Sequence, residues 1–333
     1  MTSFGGHDAH VYGDETNVRQ KPGPQDNWQE SVVLAWWDNN VSVGGFQRIG
    51  HEPNNPEGAA VELWNNITAP NGTFHKVVNN PLRKEDCPDN GGLGGGDDTL
   101  SFEFQEGKHI WNFEEPELSG QLVHVDVGPN IDSFPKKEGI GSDLGAAHFD
   151  IPGRVTGWLK VKGQGYKIDG LSIRDHGWGP RSLPPMLSHR WLVGTCGRQF
   201  SFIAIAFHSM AAEHHIGRFG WVIRNGEVTY GEKVDMVAYV EVDGATNRGG
   251  HLKYTLTTGE VVDIECKAVP AKAFVCFKEG VCCLDRICTF TSGEHKGFMM
   301  FETSHNIQHG TRRPITWHNS VIDDGWTDTG VID

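Results

Sequence analysis

The sequence predicts an all-β protein made of two consecutive antiparallel domains, each a barrel or a curled sandwich. Three observations lead there. Apolar residues seldom recur at helical spacing. Glycine is abundant, with 43 residues, and apolar runs are short. Turn chemistry punctuates the whole length, at Pro70-Asn71-Gly72, Asn90-Gly91-Gly92, Asn225-Gly226 and Thr258-Gly259.

Taken in order, residues 1–24 are polar and read as a flexible N-terminal segment. In Ser31–Asn39, period-two alternation puts Val32, Leu34, Trp36 and Asp38 on one face. In Ala59–Asn65, Ala60, Glu62 and Trp64 oppose Val61 and Leu63. Residues 84–99 are glycine-rich and loop-like, an insertion or a lid. A β run from Tyr166 to Ile173 leads into a turn expected at Gly179-Pro180. With Leu183-Pro184-Pro185 this turn interrupts the strands, and it divides the chain into domains 25–182 and 183–333. Three hairpins follow. Arg190–Val193 pairs with Phe200–Phe207, Trp221–Arg224 with Val228–Tyr230 around Asn225-Gly226, and Leu252–Leu256 with Val261–Cys266. Phe202, Ala204, Ala206 and His208 share a face whose small residues leave room for a cavity. Phe298, Met300, Glu302 and Ser304 share another, opposite Met299, Phe301, Thr303 and His305.

Composition narrows the function. Of 333 residues, 37% are hydrophobic and 22% charged, and the net charge is −14. That balance suits a globular chain and opposes a nucleic-acid partner, which needs a cationic footprint. No apolar run reaches a membrane span, and the start lacks an apolar signal core, so a cytoplasmic location is expected. The sequons at Asn66 and Asn71 then read as chance. Seven cysteines, five of them from Cys266 to Cys288, follow no paired zinc spacing and read as buried free thiols. Seventeen histidines include no His-Glu-x-x-His, so no metal is expected. A nucleophile elbow and a phosphate loop are also missing, and the glycine cluster at Gly91–Gly96 lacks the helix a dinucleotide site requires.

The densest chemistry is Asp175-His176-Gly177-Trp178-Gly179-Pro180-Arg181. It combines an acid, an imidazole, an indole and a guanidinium. Asp175 and His176 would oppose each other on a strand, but a turn brings both to one rim, where they move a proton while Arg181 sets their charge. Glu302 ends an apolar face, where a carboxyl group is either a raised-pKa general acid or the partner of Arg312 or Arg313. His208 is either a third proton-active group or a hydrogen-bonded core histidine. His51-Glu52 is a site pair or a surface loop. Asp38 is a cavity carboxylate beside Trp36 or a turn residue at a strand end.

These motifs resemble a known family. Trp36-Trp37-Asp38, Gly44-Gly45-Phe46-Gln47-Arg48-Ile49-Gly50 with His51-Glu52, and Ile173 to Arg181 are similar to the lipocalin-like carotenoid 1,2-hydratase (hydroxyneurosporene synthase) superfamily, in particular its two-domain bacterial relatives. The resemblance spans roughly residues 25–325 and is sharpest at Arg174–Arg181. It implies two calycin-like β domains enclosing a hydrophobic cavity, and chemistry that needs no cofactor. It also implies Asp175, His176, Trp178 and Arg181 as pocket residues.

The reading that follows is a cofactor-free lyase that adds or removes water on a hydrophobic, isoprenoid or aromatic small molecule. Asp175, His176, His208 and Glu302 are the expected catalytic groups. Trp36, Asp38, His51, Trp178 and Arg181 are the expected substrate-binding groups. Asp175 or Glu302 would donate the proton, and indoles would face the cationic centre. The alternatives are a pericyclase or isomerase that folds a flexible substrate, and a carrier of hydrophobic ligands.

Overall fold

The computed structural model is all-β, as expected, with no α-helix among the described residues. Those residues are 11–13, 16–55, 60–81, 94–133, 145–209, 215–241, 246–278, 280–306, 317–318 and 321–323. No helix long and apolar enough to cross a membrane is present among them. Contacts divide the chain into two compact units, one of Ala9–Phe134 with Gly141–Arg181 and one built on Ser182–Asp333.

The first unit holds β1 (Val11–Tyr12), β2 (Trp28–Asp38), β3 (Val43–Glu52), β4 (Ala60–Ala69), β5 (Gly72–Pro81) and β6 (Gly94–Gly96). It continues with β7 (Leu100–Gln105), β8 (Lys108–Glu115), β9 (Leu118–Asp126), β10 (Asn130–Ile131), β11 (Ala147–Val161) and β12 (Gln164–Pro180). Ten of these form one open antiparallel sheet, β5-β4-β3-β2-β12-β11-β9-β8-β7-β6. Its curl wraps one face around Leu34, Trp36, Ile49, Trp111, Leu122 and Val155. Apolar residues run on without a break from Val32 to Trp37 in β2, and every residue of that strand is buried, so both of its faces are covered. Lys162 and Gly163, both at positive φ, make the tight turn that pairs β11 with β12 over their whole length. Of the expected flexible segment, Val11–Tyr12 pairs with Asn130–Ile131, and Gln20 N donates to Glu30.

One expectation fails here. β12 runs straight through Gly179 to Pro180, paired with β2 as far as Trp28, and the chain leaves the sheet only at Arg181. Pro180 costs the sheet little at this position, because pairing with β11 ends at Trp178 and leaves one side of the strand an open edge there. Of residues 84–99, only Gly94–Thr99 are described, and 84–93 lie outside the described residues.

The second unit holds β13 (Met186–Thr195), β14 (Ser201–Ser209), β15 (His215–Arg224), β16 (Glu227–Val240), β17 (Asn247–Leu256) and β18 (Val261–Ala268). It ends with β19 (Phe274–Lys278), β20 (Val281–Ser292), β21 (His295–Asn306), β22 (Trp317–His318) and β23 (Val321–Asp323). The three expected hairpins are present as β13–β14, β15–β16 and β17–β18. Pairing of β15 with β16 closes the path β15-β14-β13-β21-β20-β18-β17-β16 into a barrel. Its interior is filled rather than hollow. Phe200, Phe202, Tyr254, Phe290, Met299 and Phe301 are all at most 1% exposed, and the Ala204–Ala206 face expected to leave room packs among them.

Candidate acid–base site

Continuous pairing through β12 sends Asp175 and His176 to opposite faces of the first sheet. On one face His176 Nε2 lies 2.8 Å from Glu30 Oε1. Its ring is edge-on to Phe149, at 5.3 Å, and tilted against Trp178, at 5.0 Å. His176 is fully buried and Glu30 nearly so. His51 shares this region. Its Nε2 is 3.4 Å from Arg19, and burial, with the charges of Arg19 and Arg48, pushes its pKa down to about 3, so it is neutral. Nearby Arg174 binds both Asp126 oxygens, at 2.7 and 2.8 Å.

The other face carries Asp175. Its Oδ2 is 2.7 Å from His148 Nε2. His148 Nδ1 in turn stands 3.7 Å from Asp150 Oδ2, which accepts from Ser133 Oγ at 2.9 Å. Burial alone would lower the pKa of His148. The charges of Asp175 and Asp150 and the hydrogen bond to Asp175 outweigh it and push the pKa up to about 9. For Asp175, burial favours the neutral acid, but the charge and hydrogen bond of His148, aided by Arg181 and Arg48, hold its pKa below the ordinary value. The pair is therefore imidazolium and carboxylate at neutral pH. Asp175 is not the protonated acid expected from sequence, since the proton resides on His148. Its second oxygen, Oδ1, is buried and has no hydrogen-bond partner.

The register fixes what else shares this face. Asp150, Asp175, Val33, Arg48 and Trp64 stand side by side across β11, β12, β2, β3 and β4. Arg48 is ion-paired with Glu62 and lies 5.0 Å over the Trp64 ring. The indole N–H of Trp64 is buried and unpartnered.

Other expected residues have different places. Trp36 belongs to the core of the first unit and donates to Gln47 Oε1 at 2.9 Å. Asp38 is a turn residue at the end of β2, accepting from the backbone N–H of Asn40 at 2.9 Å and of Asp169 at 2.7 Å. Trp178 lies on the His176 face. Arg181 N donates to Asn27 O at 3.0 Å. Glu302 belongs to the second unit, bonded to His189 Nδ1 at 3.1 Å and to Ser304, while Arg312 and Arg313 lie outside the described residues. The backbone of His208 pairs with Ser188 in β14, and its side chain lies outside the described residues.

Sequence reasoning missed His148, Asp150 and Glu30. The alternation of Ala147-His148-Phe149-Asp150 already puts His148 and Asp150 on one face. That Asp175 joins them needed the β11–β12 register. His148, Asp150 and Asp175 are also the group among the described residues whose ligand atoms, within 4.8 Å of one another, are arranged to hold a cation.

A family profile described as a domain of unknown function (DUF7064) matches residues 13–307. No curated protein matches significantly. Several solved structures share the fold. A protein from Nitrosomonas europaea provisionally named AttH (NE1406) is 12% identical, with 87% of this chain and 98% of that one covered and a TM-score of 0.63. CghA with Sch210972 is 14% identical, with 89% and 97% covered and a TM-score of 0.63. Kievitone hydratase from Nectria haematococca is 12% identical, with 91% and 95% covered and a TM-score of 0.62. The likeness bears out the two-domain lipocalin-like fold expected from the resemblance to carotenoid 1,2-hydratase relatives.

Proposed function

Because the chain belongs to the family described as a domain of unknown function (DUF7064), and shares its fold with kievitone hydratase, we propose that it adds water to, or removes it from, a hydrophobic small molecule by acid–base chemistry. The observation that carries this reading is the largely buried His148–Asp175 pair, an imidazolium against a carboxylate with one unpartnered oxygen. Hydration needs one proton delivered to carbon and one removed from the attacking water. His148 supplies the first. Asp175 takes the second at Oδ1 and then passes it back to His148, so that the pair ends the cycle as imidazolium and carboxylate. In dehydration the same steps run backwards. His148, with Arg181 and Arg48, keeps Asp175 ionised, and Trp64, its ring under the Arg48 guanidinium, offers an apolar wall. Trp36 and Trp178 occupy the opposite face, so neither fills that role beside Asp175. Proton transfer of this kind requires no cofactor.

The bound Sch210972 in CghA supports a small-molecule ligand for this architecture, and it keeps an isomerase as the second reading. Kievitone incubated with the protein in ¹⁸O-labelled water separates the two. A hydratase gives product carrying ¹⁸O, and Asp175→Asn abolishes it while the circular dichroism spectrum stays β-type. Product without ¹⁸O favours the isomerase, and undiminished labelling by Asp175→Asn removes Asp175 from the mechanism.

A further inference from the structure

The second unit contains a buried acid that the hydration reading does not use. Asp285 is wholly inaccessible, and neither of its carboxyl oxygens has a hydrogen-bond partner. The register of β20 with β21 sets Asp285 directly opposite Glu302. Phe301 and Met299 point into the packed barrel interior, so Glu302, Asp285 and their cross-strand neighbours point the other way. The same registers extend the row to Phe274, Asp285, Glu302, Trp191, Ile205 and Phe219, one residue from each of β19, β20, β21, β13, β14 and β15. Apart from the two acids the row is apolar, and those four residues are nearly inaccessible.

We propose that Asp285 and Glu302 form a second acid–base site, a carboxylic acid beside a carboxylate, for a neutral apolar molecule that bears an oxygen atom. Directly opposed side chains in an antiparallel pair stand about 5 Å apart, too close for two buried negative charges. The two acids are not equally supplied with donors, since neither Asp285 oxygen has one and Glu302 has two. His189 and Ser304 both act on Glu302 Oε1. Cys283 is a thiol whose pKa burial and the two acids push up. Phe274 and Trp191 close the row on either side. Glu302, with its donors, is thus the site of the charge, and Asp285 keeps the proton. Burial and the charge of Glu302 raise the Asp285 pKa well above the ordinary value. A neutral carboxylic acid with no internal acceptor presents an O–H to an incoming ligand oxygen. On the same face the buried indole N–H of Trp221 is also unpartnered. The apolar row suits a neutral ligand, and the Glu302 charge repels an anionic one.

Two measurements test this without knowledge of the natural substrate. Infrared spectra at neutral pH should show a carboxylic-acid C=O band that disappears in Asp285→Asn. Glycidyl para-nitrophenyl ether should then label the native protein. A Glu302 oxygen attacks the terminal epoxide carbon, the ester C–O bond forms as the ring C–O bond breaks, and Asp285 gives its proton to the resulting alkoxide. Peptide mass spectrometry should find the ester on Glu302, formed about a hundredfold more slowly in Asp285→Asn. If that variant does not fold, Glu302→Gln should retain the acid band and take no ester. Absence of the band in the native protein, its persistence in Asp285→Asn, or no ester on Glu302 at neutral pH overturns the proposal. The hydration reading is untouched by any of these results, because it rests on His148 and Asp175.

Discussion

His148 is the residue whose environment most changes its chemistry. Its pKa rises from the ordinary 6.5 to about 9 in the fold, so the pair with Asp175 stabilises the folded state fully below about pH 6.5, and that stability is lost as pH rises through about 9. The shift corresponds to roughly 3 kcal/mol. Thermal melts of the native protein should fall across that window. His148→Gln should melt lower at pH 6 and decline less on the alkaline side, and an unchanged alkaline slope would show that His148 does not carry the effect. At the acid end Asp175 acts in the opposite sense, since its lowered pKa contributes stability that is lost as pH falls through it. Trp36 is a contrasting case, because it lies wholly buried in the core on the face that the alternation predicts. It faces the core with Val32 and Leu34, and its N–H satisfies Gln47. Trp36→Phe should cost on the order of 1–3 kcal/mol by leaving Gln47 Oε1 buried without a donor. The melting temperature measures that loss, and a changed KM at unchanged melting temperature would restore Trp36 to the binding site. Asn66 is wholly buried in β4, so its sequon is closed to glycosylation in the folded protein, in keeping with the chance reading.

Strand alternation was legible along individual elements. The faces expected for β2, β4 and β21 are those observed, because a period of two is local geometry and needs no partner. The hairpin at Asn225-Gly226 was equally legible, and both residues adopt the positive φ that a two-residue turn of this kind demands. Gly179-Pro180 misled because the same residues that begin a turn can end a strand, and β2 alongside decides which. Gly157 shows what the sheet itself requires. It has φ 150° in the middle of β11, and a Cβ there would stand 2.1 Å from the carbonyl oxygen of Gln121 on β9. Gly157→Ala should therefore destabilise the first unit by on the order of 1–3 kcal/mol, detectable as a lower urea midpoint. An unaltered midpoint would mean that β9 and β11 separate there without penalty.

Across the whole molecule, the pairings that hold each unit join distant parts of the chain. β2 pairs with β12, from Trp28 with Pro180 to Trp37 with Leu171, and β13 pairs with β21, from Ser188 with His305 to Thr195 with Phe298. Loop closure must precede the contacts that reward it, so refolding from urea should take seconds or longer rather than milliseconds. Stopped-flow tryptophan fluorescence measures this, and complete recovery within milliseconds would contradict it. The turn punctuation and the alternation of apolar residues determined by themselves that this chain would be all-β. They also marked Asp175 and Glu302 as unusual carboxylates. Only the tertiary structure decided which groups hold the protons. A pKa depends on charges a few ångströms away, and it was strand register, not spacing along the chain, that set His148 against Asp175 and Asp285 against Glu302.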